Sequence, residues 1–209
     1  MLQFDTYYHI YNHANGDDNL FREEKNYPFF LEKYHQHIDP IAETVAWCLM
    51  PNHFHLLVKI KSEVEVFDNL STTSSSSKVR NFGRAKEKDE EVKRKLLSKQ
   101  FANFFSSYTQ AFNKMYNRRG SLFIKNFKRK EVEDESYLQN LILYIHLNPI
   151  KHGFVSLISD WIPTSYHTFP TEKQKFLTSV FFNETAYFQQ HAEKQRLFEE
   201  YQNIENDLK

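Results

Sequence analysis

Apolar and aromatic positions along the chain switch between two spacings, and each switch marks an element. Residues 4–13 are rich in aromatics and close at Asn15-Gly16-Asp17-Asp18, which predicts a first strand and a turn. Over residues 23–38, Tyr27, Phe30, Leu31, Tyr34 and Ile38 recur at helical spacing among charged residues, so an amphipathic helix follows and stops near Pro40. Residues 44–49 and 53–60 are apolar runs of strand length separated by Pro51-Asn52, the pattern of two strands joined by a tight turn. Phe101, Phe104, Phe105, Tyr108 and Phe112 mark one face of a long helix over 101–117, entered through the charged stretch 86–95. Residues 121–131 mix Leu122, Ile124 and Phe127 with lysines and predict a fourth strand. Asp134-Glu135-Ser136 offers acidic and hydroxyl groups to open a helix over 137–147, which Pro149 is expected to end. A polar helix over 184–203 completes the order, and no internal repeat interrupts it.

Strand, helix, strand, strand, helix, strand is the order of an α+β ferredoxin-like sandwich, an antiparallel sheet with helices on one face. The tyrosine-bearing helix over 137–147 is then an addition to that core. The expected organisation is one domain over 1–170, interrupted by an insertion at about 62–99, and a helical tail over 171–209. Within the insertion, the serine run of residues 71–77 is too polar to bury and predicts a mobile loop.

Composition narrows this picture. The 20 Phe and 12 Tyr supply bulk for an aromatic core, which excludes wholesale disorder. No run approaches the roughly 18 uncharged apolar residues of a membrane span. Residues 1–5 lack a basic start followed by an apolar stretch, so no secretory signal is expected and the cytoplasm is the default address. One cysteine, Cys48, excludes an internal disulfide framework or a cysteine-based zinc cluster. The net charge of zero conceals an asymmetry. Residues 78–130 hold 16 Lys+Arg against 4 Asp+Glu, while the remainder holds 11 against 23. A basic block of that size is the footprint of a polyanion-binding face if the fold gathers it on one side, and a solvated helix if it does not.

Two short patterns carry candidate chemistry. His53 and His55 flank Phe54 on a predicted strand, so both imidazoles share one face while Phe54 points to the core. Two neutral imidazoles suit a divalent cation, and a pair of hydrogen-bonded surface histidines has the same spacing. Tyr144 and Asn148 lie four apart and share a helix face. Together they present a phenol, an oxygen nucleophile, and a carboxamide oxygen able to complete a His/His/O site for Mg²⁺ or Mn²⁺. The bland alternatives are a core tyrosine and an asparagine capping the helix before proline. An unrelated metal-dependent hydrolase lacks acidic ligands at useful spacing, since Glu43 and Glu63 are the nearest to the histidines.

Leu49-Met50-Pro51-Asn52-His53-Phe54-His55-Leu56-Leu57, followed by Tyr144-Ile145-His146-Leu147-Asn148-Pro149-Ile150-Lys151-His152-Gly153, resembles the signature of the single-tyrosine transposases of the HUH endonuclease superfamily. Within them it is most similar to the REP-associated tyrosine transposases. Leu20-Phe21, Arg119-Gly120-Ser121-Leu122-Phe123, Asp160-Trp161 and Ser165-Tyr166 fit the same pattern, so the resemblance runs over about residues 4–170. It implies a ferredoxin-like fold, a divalent cation held by His53, His55 and Asn148, and Tyr144 as the nucleophile toward single-stranded DNA. The implied products are a 3′-hydroxyl and a 5′-phosphotyrosine that a second strand can reverse. The implied partner is single-stranded, hairpin or palindromic DNA, with Arg118, Arg119, Lys125, Lys128, Arg129 and Lys130 tracking its phosphates. A homodimer, with the tyrosine helix serving its own or a neighbouring subunit, fits the same resemblance. The competing reading is a catalytically silent DNA-binding or repressor module on the same fold.

Overall fold

A computed structural model describes residues 1–73, 90–168 and 179–207. Among these the elements are β1 (Tyr7–His13), α1 (Asn26–Ile38), β2 (Ala42–Met50), β3 (His53–Ile60), α2 (Glu63–Thr73), α3 (Glu90–Met115), β4 (Lys128–Glu131), α4 (Glu135–Lys151) and α5 (Glu184–Asp207). The four strands form one sheet in the order β2-β3-β1-β4, with β1 antiparallel to both β3 and β4. Together with α1 and α3 this is the ferredoxin-like arrangement expected from the periodicities. Most of the serine run and the end of the expected first domain, at 170, lie outside the described residues. No described helix is long and apolar enough to cross a membrane.

By compactness the chain divides into two units, one of residues 1–45 and 51–131, the other of residues 46–50 and 132–209. In the first unit the alternation of β3 sends Phe54 to one face, where its ring meets Phe30 of α1 at 5.3 Å and Phe105 of α3 at 5.9 Å between centroids. Phe30 also stands edge-on to Phe104 at 4.9 Å, so α1 and α3 share the layer beneath Phe54. Tyr108 is buried with them and donates to the Leu20 carbonyl at 2.6 Å, so its hydroxyl is not stranded in the apolar layer. Because Phe54 is fully buried among these rings, Phe54→Ala is expected to cost about 3–5 kcal/mol in chemical denaturation. A loss below about 1 kcal/mol would mean that the helices do not rest on it.

In the second unit α4 starts as expected. The Asp134 side chain accepts from the Tyr137 N–H at 2.7 Å, capping the first turn. The expectation that Pro149 ends the helix is corrected, for α4 runs through it to Lys151. Proline keeps a helical φ but has no N–H for the carbonyl four residues back, so α4 continues through Pro149 with one bond fewer. The real stop is Gly153, whose φ of 71° is open to glycine. Its N–H bonds the Ile150 carbonyl and the Phe154 N–H bonds the Pro149 carbonyl, both at 2.9 Å, which is the Schellman arrangement. Residues 46–50 are tied into this unit by Leu49 N–H to the Pro163 carbonyl at 2.9 Å and by the Trp161 indole N–H to the Leu49 carbonyl at 3.1 Å.

Other boundaries move for local reasons. The first strand begins at Tyr7 rather than residue 4, because Asp5 has a φ of 55°. The fourth is confined to Lys128–Glu131 rather than 121–131, because Asn126 has a φ of 65°. Upstream of that kink the segment still follows β1, with the Ile124 N–H on the His13 carbonyl at 2.9 Å and the Asn12 amide on the Ile124 carbonyl at 3.1 Å. The front of the expected insertion is the ordered helix α2. It opens on a capping box in which Ser62 N–H and hydroxyl donate to Glu65 at 3.0 and 2.6 Å, while the Glu65 N–H returns to Ser62 Oγ at 3.4 Å.

Candidate active site and nucleic-acid interface

The pairing of β1 with β3 sets Tyr11 opposite His55 and His13 opposite His53. Strand alternation therefore gathers His9, Tyr11, His13, His53 and His55 on the sheet face away from α1 and α3. The rings form a layer: His13 stacks on His53 at 4.6 Å and His9 on His55 at 5.0 Å, while His53 and His55 stand 5.4 Å apart and nearly perpendicular. Both candidate ligands are buried rather than the surface histidines of the bland reading.

Each imidazole is oriented by a neighbour. His53 Nδ1 lies 2.7 Å from the Asn52 carboxamide oxygen, which only accepts, so Nδ1 carries a proton and, in the neutral ring, Nε2 is the acceptor. His55 Nδ1 lies 2.9 Å from His9 Nε2. Burial first, and then the charge of Lys130, lower the His9 pKa to about 4, so at neutral pH one of this pair donates and the other accepts. If His9 accepts, His55 too is left with its lone pair on Nε2. Such outer partners fix the tautomer and aim of metal-binding imidazoles in general. His9 was absent from the sequence-based site. Its alternation with Tyr11 and His13 on the first strand was the available signal, but its pairing with His55 is a diagonal that only the register reveals.

Tyr144 and Asn148 belong to the second unit, on α4. Tyr144 is 39% exposed, with the Lys151 ammonium 5.2 Å from its ring centroid, so it is no core tyrosine. Asn148 is fully buried, and its amide donates to the Tyr144 carbonyl at 2.8 Å. That neighbour must receive a donor, which fixes the orientation of the carboxamide and turns its oxygen the other way. This Oδ1 is buried and has no hydrogen-bond partner among the described residues. A buried acceptor without a protein donor is uncommon, and an ordered water, a ligand or a cation can complete it. Sequence reasoning named this residue, but not which end of its amide would be orphaned.

Between these two positions His146 enters a buried chain that sequence reasoning missed. Its Nε2 lies 2.8 Å from Ser165 Oγ and its Nδ1 2.9 Å from His191 Nε2 on α5. His191 Nδ1 in turn donates to the Tyr187 carbonyl at 2.8 Å, and Ser165 Oγ accepts from the Trp47 N–H at 2.8 Å. The tyrosine helix is thus joined through one ring to α5 and to residues 46–50. Burial is the main cause that holds His146 well below the ordinary histidine pKa and His191 at about 4, so both rings are neutral near pH 7.

The candidate phosphate contacts separate by position. The register of β4 against β1 sets Lys128 opposite Tyr11 and Lys130 opposite His9, and Arg129 opposite Ile10. Lys128 and Lys130 therefore share the histidine face while Arg129 points to the other, and all three are exposed. Arg119 and Lys125 are exposed as well. Arg118 is engaged within the fold. Its guanidinium donates to Asp18 at 2.6 Å, to Asn113 at 2.6 Å and to the Ser121 carbonyl at 2.9 Å, and its side chain is 16% exposed. Burial works to raise the Asp18 pKa, but hydrogen bonds from Arg22 and Arg118 outweigh it and the net shift is downward. Arg118 thus braces the turn after α3.

No family model matches the chain. Over 127 residues it is 28% identical to the Haemophilus influenzae protein named "Putative REP-associated tyrosine transposase", a match covering 60% of this chain and 59% of that one. Over 70 residues it is 34% identical to a Buchnera aphidicola protein named "Putative N-acetylmuramoyl-L-alanine amidase", covering 33% of this chain and 32% of the relative. The matches therefore span less than two thirds of either relative's length. Among solved structures, a REP-associated tyrosine transposase bound to a REP hairpin superposes with a TM-score of 0.51, at 15% identity, over 83% of this chain and 84% of that one. The resemblance to REP-associated tyrosine transposases thus holds in sequence with the first relative and in fold with the solved structure.

Proposed function

We propose that the chain is a transposase-type endonuclease and strand transferase that cuts single-stranded, hairpin or palindromic DNA through a 5′-phosphotyrosine. The observation that carries this reading is the orphaned Asn148 oxygen, one helical turn from an exposed phenol.

Two imidazoles and a carboxamide oxygen are donors that a divalent cation accepts. His53, His55 and Asn148 would hold Mg²⁺ or Mn²⁺, whose charge would offset that developing on the scissile phosphate. The chain's own groups do the rest. Tyr144 contributes the attacking oxygen: the phenol gives up its proton as its O–P bond forms and the bond from phosphorus to the strand's 3′ oxygen breaks, and that oxygen takes up a proton to leave as a hydroxyl. Asn52 and His9 keep the two imidazoles aimed. Lys151 beside Tyr144, with Lys128 and Lys130 on the histidine face, supplies positive charge for the strand, and Arg119 and Lys125 extend it. Because the phosphoryl bond is exchanged for another ester, a second 3′-hydroxyl can reverse the step without an external energy source.

The test is an end-labelled hairpin oligonucleotide with a single-stranded flank, incubated with the protein and Mg²⁺ or Mn²⁺. A denaturation-resistant protein–DNA adduct and a released 3′-hydroxyl fragment are expected, both lost when EDTA is added. Tight binding with no adduct, over several substrates and both cations, would favour the silent module.

A further inference from the structure

The first unit carries a second feature that the cleavage chemistry does not use. A groove of about 760 Å³ runs between α3 and residues 121–129, within the roughly 300–1,000 Å³ typical of ligand sites. Phe105, Phe123 and Phe127 form its aromatic wall, with centroid separations of 5.0 and 5.5 Å from Phe105 to the other two. Phe105 and Phe127 are only half-buried, an unusual exposure for rings that could have closed into the core. Ser98 and Ser106, two turns apart on α3, and Thr109 a turn beyond add hydroxyls to the lining. The charged residues of the lining are Lys125 and Arg129, and no Asp or Glu is among the described residues there. The Arg129 guanidinium stands 5.6 Å from the Phe127 ring centroid, so a cation and an aromatic face are presented together.

We infer that this groove takes one unpaired nucleotide of the DNA strand, its base on the Phe105 and Phe127 rings and its phosphate toward Lys125 and Arg129. Half-buried rings beside cations, with no carboxylate to repel a phosphate, are the combination that binds single strands without needing a particular sequence. The inference rests on the DNA-processing reading, yet its site is separate from the candidate cation ligands. Phe105 packs on the Phe54 side of the sheet, whereas His53 and His55 project from the other. The groove therefore anchors a strand and takes no part in the chemistry. Lys125 and Arg129 of the basic block thereby meet the strand away from the histidines.

Binding is measured with two hairpin oligonucleotides, one blunt and one with an unpaired flank carrying 2-aminopurine, whose fluorescence falls on stacking. Quenching by the wild type is expected. Phe105→Leu and Phe127→Leu keep apolar bulk but remove the stacking face. They should weaken the flanked hairpin about tenfold, the loss of one base–aromatic stack, and leave the blunt hairpin's affinity unchanged. If either leucine variant unfolds, Arg129→Gln at an exposed position gives an independent reading. It should lower the slope of log affinity against log salt for the flanked hairpin by about 0.7, one single-strand phosphate contact. Equal affinities of wild type and variants for the flanked hairpin would overturn the inference while leaving the cleavage reading intact. So would loss of self-association in Phe127→Leu with DNA affinity unchanged, which would assign the groove to a second copy. Quenching that depends on Phe105 and Phe127, in a protein that never forms an adduct, would keep the groove and remove the nuclease.

Discussion

Replacing Tyr144 by Phe is expected to abolish the covalent adduct while DNA binding persists. The substitution removes one oxygen from a ring that is 39% exposed, so no packed volume is lost and the melting temperature should not move. What is lost is the atom that would make the bond to phosphorus. Removing a catalytic nucleophile elsewhere costs on the order of 10⁶ in kcat, so no adduct should be detectable in an assay of ordinary sensitivity. Asn148 is the informative companion. Its amide holds the Tyr144 carbonyl and its oxygen is the orphan, so Asn148→Ala removes the proposed cation contact and a helical brace at once. Under this scheme Asn148→Ala loses cleavage but regains some at high Mn²⁺, because the phenol is still present, whereas Tyr144→Phe is not rescued by any cation. An adduct formed by Tyr144→Phe would show that another nucleophile acts, and the assignment of Tyr144 would be wrong.

The strand-and-helix order was legible because aromatic residues dominate the core: Phe30, Phe54, Phe104 and Phe105 lie at periods that differ between helix and strand, and they meet in one layer. Boundaries set by single backbone angles were not legible. Asp5 and Asn126 adopt positive φ without being glycine, and nothing in a hydrophobic pattern marks that. Pro149 misled in the other direction, since a helix already near its end tolerates it and Gly153 provides the stop. The Ser62/Glu65 capping box was visible in the sequence but masked by the polar run behind it. For the site, the parity of His53 and His55 and the turn from Tyr144 to Asn148 could be read from spacing. The roles of His9 and Arg118 could not, because they depend on partners 46 and 100 residues away. A basic residue looks the same in a sequence whether it meets phosphate or Asp18.

Acid is expected to destabilise the fold well above the pH at which carboxylates titrate, and His191 is expected to account for a large share of it. Burial lowers its pKa from 6.5 to about 4, the hydrogen bond to the Tyr187 carbonyl offsetting only part of that effect. A folded-state pKa below the unfolded value means that the unfolded chain binds the additional proton. Stability is therefore complete above about pH 6.5, declines as pH falls, and levels off below about 4. Over that window a shift of this size corresponds to on the order of 3 kcal/mol, a substantial part of the 5–15 kcal/mol that holds most domains together. The groups facing His191 do not relieve it. His146 is itself held neutral by burial, and Tyr187, Tyr166 and Phe181 supply rings rather than carboxylates. A proton on either ring breaks the match of one donor to one acceptor at 2.9 Å. Since His146 sits on α4 between Tyr144 and Asn148, loosening the pair releases α5 from the helix that carries the proposed nucleophile. Urea midpoints at pH 7.5 and pH 5 should differ markedly for the wild type. In His191→Gln, which cannot take up the proton, the difference should shrink even if stability at pH 7.5 is lower. A wild-type midpoint that stays level between those two pH values would show that the buried pair does not titrate with unfolding, and the coupling of α4 to α5 through it would have to be abandoned.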